Sequence, residues 1–185
     1  DAAAGVELRY NLIPLHNVSR VEYTGRLGIS PGTLRSRVTD RLGALPRAGR
    51  AAEVARVVEQ QIYRDYGYLR ATVRHREIVQ HNPDRTILVF DIDAGPRAAI
   101  RTVNLSGDPL EPREAFERDV HAVAGGPYEP VTIQARLDAY VGRMRKKRRY
   151  EASASFTTEA SADGTSVDLT LDVKPGPVVS VALEG

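Results

Sequence analysis

Apolar positions along the chain recur with two different periods. Leu34, Val38 and Leu42 stand four apart, which marks one face of a helix. Ser30-Pro31 supplies a cap and a proline at the first helical position, and Gly43 and Pro46 end the segment. A second helix is expected over about Ala51 to Asp65, with Val54, Val57, Val58 and Ile62 on one side and Gly67 as its stop. The period then changes to two. Leu69, Ala71 and Val73 alternate with Arg70, Thr72 and Arg74, which predicts a strand over Tyr68 to Arg76 with one buried face. Asn82-Pro83-Asp84 turns the chain into a last strand, about Thr86 to Asp93, with Leu88, Phe90 and Ile92 on one face. The strand-like phrase Val18 to Gly25 precedes all of this, so the order is β-α-α-β-β. The inner faces put Val21, Leu34, Val38, Val58, Ile62, Ala71, Val73, Leu88, Phe90 and Ile92 in one core.

The same order follows a second time. Phe116, Val120 and Val123 give a helical face closed by Gly125-Gly126, and Pro130 opens a helix carrying Ile133, Leu137, Tyr140, Val141 and Met144 inward. Ala152, Ala154 and Phe156 alternate along a strand, Asp163-Gly164 makes a hairpin turn, and Val167, Leu169, Leu171 and Val173 alternate along the next. An opening phrase, apolar-x-x-Val-x-apolar-x-Gly, occurs at Val18–Gly25, Ile100–Gly107 and Val178–Gly185, with its closing glycines 82 and 78 residues apart (25 to 107, 107 to 185). Gly95-Pro96 and Gly176-Pro177 close the preceding strands, and the earlier run Val6, Leu8, Tyr10, Leu12, Pro14 reads as the end of a truncated copy. The expected division is 1–17 as the end of one unit, 18–97 and 98–177 as complete units, and 178–185 as the first strand of another. The chain thus reads as an excised piece of a longer array. The fold class is α+β: tandem units, each a three-stranded mixed sheet in the order 1-3-2 with two helices on one face. Direct joining through Gly95-Pro96 leaves few residues for a flexible linker, so a limited hinge is expected.

Composition narrows the function classes. The 185 residues carry 26 basic and 24 acidic side chains, a balance too even to point to nucleic acid. With no cysteine there is no disulfide framework, thiolate metal site or cysteine nucleophile. No run approaches the roughly 18 apolar residues of a membrane helix, and Asp1-Ala2-Ala3-Ala4-Gly5 lacks the features of a signal peptide, so the chain as given reads as soluble.

Candidate chemistry is sparse. His16, His75, His81 and His121 lie on different elements, and no metal site is expected of them. Nucleophile elbow and phosphate loop are both missing, so the chain reads as a non-enzyme without cofactors. The conspicuous feature is the run Arg145-Lys146-Lys147-Arg148-Arg149. It reads first as a solvated helix end, where cations offset the helix dipole by about 0.3–1 kcal/mol each. Its second reading is a patch for anionic lipid or an acidic partner. Tyr66 and Tyr68 read as packing residues with polar tips, and Gly25, Gly67 and Gly107 as sites of positive φ.

The phrase Val-x-Val/Tyr-x-Gly, the segment Tyr66-Gly67-Tyr68-x-x-Ala71-x-Val73 and the closing Phe90-x-Ile92-x-x-Gly95-Pro96 together resemble the POTRA (polypeptide-transport-associated) domain over nearly the whole chain. The second unit departs from that pattern, with Arg149-Tyr150 where the first has Gly67-Tyr68. The resemblance implies a periplasmic arm of an outer-membrane assembly factor, of the barrel assembly machinery (BamA-like) or the translocation and assembly module. Its implied partners are unfolded outer-membrane clients and periplasmic accessory proteins. A 1-3-2 sheet leaves the middle strand on an open edge, so an incoming strand would pair along Tyr68, Arg70, Thr72, Arg74 and Arg76. Proline at Thr72 would then block binding, provided its amide faces outward. The alternative is a structural spacer, as in a two-partner secretion transporter or a cell-division membrane protein. The arginines on the edge serve equally as a guard against aggregation.

Overall fold

The computed structural model describes residues 17–82 and 84–180. Two three-stranded sheets succeed each other, one in the order β1-β3-β2 and one in the order β4-β6-β5. The first unit runs β1 (Val18–Arg26), α1 (Pro31–Leu42), α2 (Ala51–Val57), α3 (Tyr63–Asp65), β2 (Thr72–His81) and β3 (Asp84–Asp93). The second runs β4 (Ala99–Gly107), α4 (Arg113–Asp119), α5 (Pro130–Lys146), β5 (Ser153–Ala160) and β6 (Ser166–Lys174). This is the tandem β-α-α-β-β organisation that the periodicity predicts. Among the described residues no helix is long and apolar enough to cross a membrane.

In each unit the first strand lies parallel to the third and the second antiparallel to it. The helix pair returns the chain between β1 and β2, as a parallel first strand requires. Gly25 and Gly107 explain why the opening phrase ends in glycine. Both have φ of 90°. A Cβ at Gly25 would collide with the carbonyl oxygen of Ile92, and one at Gly107 with that of Val173. The first strand therefore passes its neighbour at backbone contact at the same place in both units.

Each unit has its own core. Leu34, Val38, Val58, Ile62, Ala71, Leu88, Phe90 and Ile92 are buried together, with Val21 and Val73 packed half-buried against them. Helix and strand faces meet in this one cluster, which sets both helices on one side of the sheet. Ser30 caps α1 by accepting from the Thr33 amide at 3.1 Å. The second helical stretch begins as a 3-10 turn (Ala48–Arg50) and widens into a π turn (Val58–Ile62) between α2 and α3. The wider turn brings Val58, Ile62 and Tyr63 all into the core, leaving Val57 half-buried. Phe116, Val120, Ile133, Leu137, Tyr140 and Met144 form the second core with the inner face of β6.

Several expectations are corrected. The middle strand of the first unit spans Thr72–His81, not Tyr68 to Arg76. Tyr68 to Ala71 form turns, because Tyr68 and Ala71 are held in the core. In the second unit α4 ends at Asp119, earlier than a face through Val123 implies. His121 adopts φ of 59°, which reverses the chain and sends Ala122 into the core while Val123 is exposed. Gly125-Gly126 does not close that helix but pairs with β4. The Asp163-Gly164 turn is a five-residue loop between Ala160 and Ser166, with Asp163 accepting from Ser161 and Thr165. The expected strand of the preceding copy, Val6 to Pro14, lies outside the described residues, as do His16, Pro83 and 181–185. Of the expected following strand, Val178 to Ser180 is described and is not a strand.

Candidate docking edges and the joint between units

Among the described residues β2 is an edge strand, with β3 on one side only. Which of its backbone groups face away from β3 follows from one bond. The Val73 amide donates to the Glu59 carboxylate at 2.9 Å, so it points away from β3. Successive residues of an antiparallel strand alternate in direction. Val73, His75, Glu77 and Val79 therefore turn N–H and C=O to the open side, while Thr72, Arg74, Arg76 and Ile78 bond to β3. The proviso on Thr72 is thus not met: its amide belongs to the sheet. Glu59 closes the start of the edge, leaving His75 to Val79 as the open line.

The predicted edge residues separate accordingly. Thr72, Arg74 and Arg76 are exposed on β2. Tyr68 is buried, and its hydroxyl donates to the Gly28 carbonyl at 2.6 Å. Arg70 is exposed in the turn before the strand, beside Gly164 of the second unit's hairpin loop. Tyr66 is half-buried and accepts from Arg37 at 3.1 Å. Ile78 and Val79 make an apolar spot late on a charged strand, both more than a third exposed.

The sequence reading missed two other edges. Strand β5 is the free edge of the second sheet and carries one charge, Glu159. Beside it, Phe156, Val131 and Ala135 line a groove that also reaches Arg37 and Asp65 of the first unit. Strand β1 borders a groove against α1 lined by Tyr23, Arg35, Thr39 and Leu45. Burial there pushes the Tyr23 hydroxyl up to about 12, with Arg35 partly opposing. The outer edge of β4, by contrast, is closed. Ile100 donates to Gly126 and accepts from Gly125, both at 2.8 Å, and Arg113 donates to the Val103 carbonyl at 2.7 Å.

His75 and His81 lie on β2 and His121 after α4, and among the described residues no three His, Asp or Glu side chains are grouped so as to hold a metal ion. In the basic run, Arg145, Lys146, Lys147 and Arg148 are exposed, and among the described residues none forms an ion pair. Arg149 is half-buried and donates to the Gly176 carbonyl.

The two units meet closely. The Ala98 amide donates to the Gly67 carbonyl at 2.9 Å. Gly67 has φ of 79°, and a Cβ there would collide with the carbonyl oxygen of Tyr128. The Arg97 guanidinium lies 5.1 Å over the Tyr68 ring and pairs with Glu129. Leu69 packs against the second core. Gly67 is therefore more than a helix stop.

No protein-family model and no curated protein matches the chain. Among solved structures it is similar to BamA POTRA3-5 of Haemophilus influenzae, at 13% identity and a TM-score of 0.49, over 92% of this chain and 72% of that one. It is similar to POTRA1-2 of the periplasmic domain of Omp85 from Anabaena, at 17% identity and 0.42, over 90% and 99%. BamA of Haemophilus ducreyi lacking POTRA domains 1-3 matches at 18% identity and 0.44, over 86% of this chain and 29% of that one. Its own element order and its two 1-3-2 sheets are those of tandem β-α-α-β-β units.

Proposed function

We propose that this chain is part of a periplasmic docking arm of an outer-membrane β-barrel assembly factor, and that it takes extended client segments as added strands. The unit boundary in this reading falls at Gly95-Pro96, with units 18–97 and 98–177. The carrying observation is the outward row of backbone groups on His75, Glu77 and Val79. An incoming strand satisfies them at about 0.5–1.5 kcal/mol net per bond. Pairing through backbone is tolerant of client sequence, as an arm that meets many barrel strands requires. A few such bonds barely offset ordering the peptide, so affinity at one edge is micromolar or weaker. The β5 edge, with Phe156 in the groove beside it, offers a second line of the same kind.

The test is an NMR titration with a barrel-strand peptide of about ten alternating residues. Proline at His75 deletes an outward donor and spares the β2–β3 ladder, whereas alanine leaves the backbone line intact. The expected result is shifts along His75–Val79, abolished in His75→Pro and retained in His75→Ala. Equal binding by the two folded variants, or shifts confined to Arg145–Arg149 or to the β1 groove, would overturn the assignment.

The joint supports a second reading, a structural spacer. Contact at Gly67 and Tyr128, with Arg97 clamped between Tyr68 and Glu129, suits units held at a fixed separation. Under that reading the peptide shifts no edge amide.

A further inference from the structure

The free edge of β5 runs beside both units. The Ser161 amide donates to the Ser166 carbonyl at 2.9 Å, so Ser161 turns inward to β6. Alternation then gives Ser155, Thr157 and Glu159 to β6 and turns the backbone groups of Phe156, Thr158 and Ala160 to the open side. The same three residues send their side chains to the helix layer, because Phe156 stands opposite Leu171 and Ala160 opposite Val167, both buried in the second core.

Two cavities open along that line. Phe156 lines one with Val131 and Ala135; Thr158 and Ala160 line the other with Leu69. Asp65 and Pro130 stand in the wall of both. Asp65 ends α3 of the first unit and Pro130 begins α5 of the second, so each cavity is shared between the units. The joint sets how far apart those walls stand. Gly67 and Tyr128 touch there, each two residues from a wall residue. A Cβ on Gly67 would collide with the Tyr128 carbonyl, so a side chain at 67 pushes unit from unit and draws Asp65 away from Pro130. Gly67 itself lines neither cavity.

We propose that the β5 line and the joint are one coupled site: an extended segment added to β5 is gripped by both units, and its binding and the closure of the joint strengthen each other. This rests on the docking reading above and adds the means by which the site is regulated. The occupant is an extended segment with apolar side chains at alternate positions, and continuity with the joint argues for it. On an added strand, the residues opposite Phe156 and Ala160 point to the helix side, four residues or about 13 Å apart, one into each cavity. The apolar surface they meet belongs to Phe156, Val131 and Leu69, and Val131 is 38% exposed. One face of the segment thus bridges from unit to unit. The shared walls are complete only at the closed joint. Whatever opens the joint therefore weakens the segment's hold, and by linkage the segment favours the closed joint by the same factor.

The test titrates the full chain with the same barrel-strand peptide and follows the amides of both edges, His75–Val79 and Ser153–Ala160, in one NMR series. Gly67→Ala should weaken binding at Ser153–Ala160 at least about fivefold and leave His75–Val79 unchanged. Arg97→Gln removes the clamp on Tyr68 and Glu129 without altering the backbone; it should act in the same direction and serves where Gly67→Ala fails to fold. The chain has no native cysteine, so spin labels at the exposed positions Arg56 and Glu114 report the joint by pulsed electron resonance, and peptide should narrow their distance distribution. Equal titration of β5 in the unaltered chain and the folded variants overturns the coupling and leaves docking at the edges standing. So does titration confined to His75–Val79, or a distance distribution that peptide leaves unmoved. A peptide that shifts neither edge of the unaltered chain overturns both readings. Shifts of Ser153–Ala160 on concentrating the chain alone would give this edge to a second copy and overturn the proposal too.

Discussion

Replacing Phe90 by alanine should unfold one unit and spare the other. Phe90 is fully buried at the centre of β3, its ring stacked on Tyr23 at 5.9 Å. Truncating a buried phenylalanine costs about 3–5 kcal/mol through lost transfer energy and the cavity left behind. The lost ring pair adds about 0.5–1.5 kcal/mol. A unit of roughly 80 residues has about 4–12 kcal/mol of stability in total, so the variant stands near its unfolding threshold. At about 4–8 °C per kcal/mol, its transition should fall by well over ten degrees. The second core shares no residue with the first, so the second unit keeps its own transition. Calorimetry should show the loss split into two steps, and amide exchange should localise the early one to β1–β3 and α1–α3. A loss below about 1 kcal/mol would refute the strand register. Joint melting of both units at the lower temperature would refute the separation of the cores.

Two further outcomes concern pH. The Tyr23 hydroxyl is held neutral up to about 12 against an ordinary 10.0, so its contribution is complete below pH 10 and lost as pH rises toward 12; the Tyr63 hydroxyl is raised too, chiefly by burial. Base titration followed by circular dichroism should therefore show the first unit loosening in that window, and Tyr23→Phe should weaken the dependence. Asp168 is held down at about 2 by Arg101 and then Thr102, so its contribution is present above the ordinary 3.8 and lost as pH falls toward 2. Asp168→Asn should flatten the acid limb of the second unit's stability curve, and an unchanged limb would show that this exposed pair contributes nothing.

Much of the fold was legible because burial dictates period. The Leu34-Val38 face, the alternation ending in Phe90-x-Ile92 and the recurring glycines each have one cheap reading, and the structure adopts it. Gly25 and Gly107 were readable as positive-φ positions, but the carbonyls of Ile92 and Val173 that fix them become visible only once strands pair. The edge was legible in topology and not in detail. Tyr68 has the outward parity of Arg70, yet its ring is drawn into the core and its hydroxyl to Gly28, which delays the strand to Thr72. Which parity of β2 faces outward depends on Glu59, fourteen residues away, and no local pattern encodes that. His121 and Arg148 adopt left-handed conformations usually left to glycine, so sequence alone extends the first helix and misaligns the second by one residue.

The two units share a topology but are not equivalent, and one loop accounts for much of the difference. Residues 125–128 seal the outer edge of β4 through Gly125 and Gly126, and the same loop carries Tyr128 to its place over Gly67. Closing that edge and building the joint are thus one structural act, which leaves β5 as the second unit's free line. In the first unit, among the described residues, the stretch from Ala44 forms no such seal: Leu45 is 56% exposed and a groove opens between β1 and α1. An unsealed edge invites non-specific pairing unless something limits it. On β2 that limit is built from Glu59 over Val73 and from the exposed Arg74 and Arg76, which leave a short window at His75–Val79. Under the proposed docking role, a window of that length would admit a strand weakly and let it go. Under that same proposal, charge and capping would serve guard and docking strip together, and the length of uncapped backbone, not the identity of its side chains, would set how long a client stays.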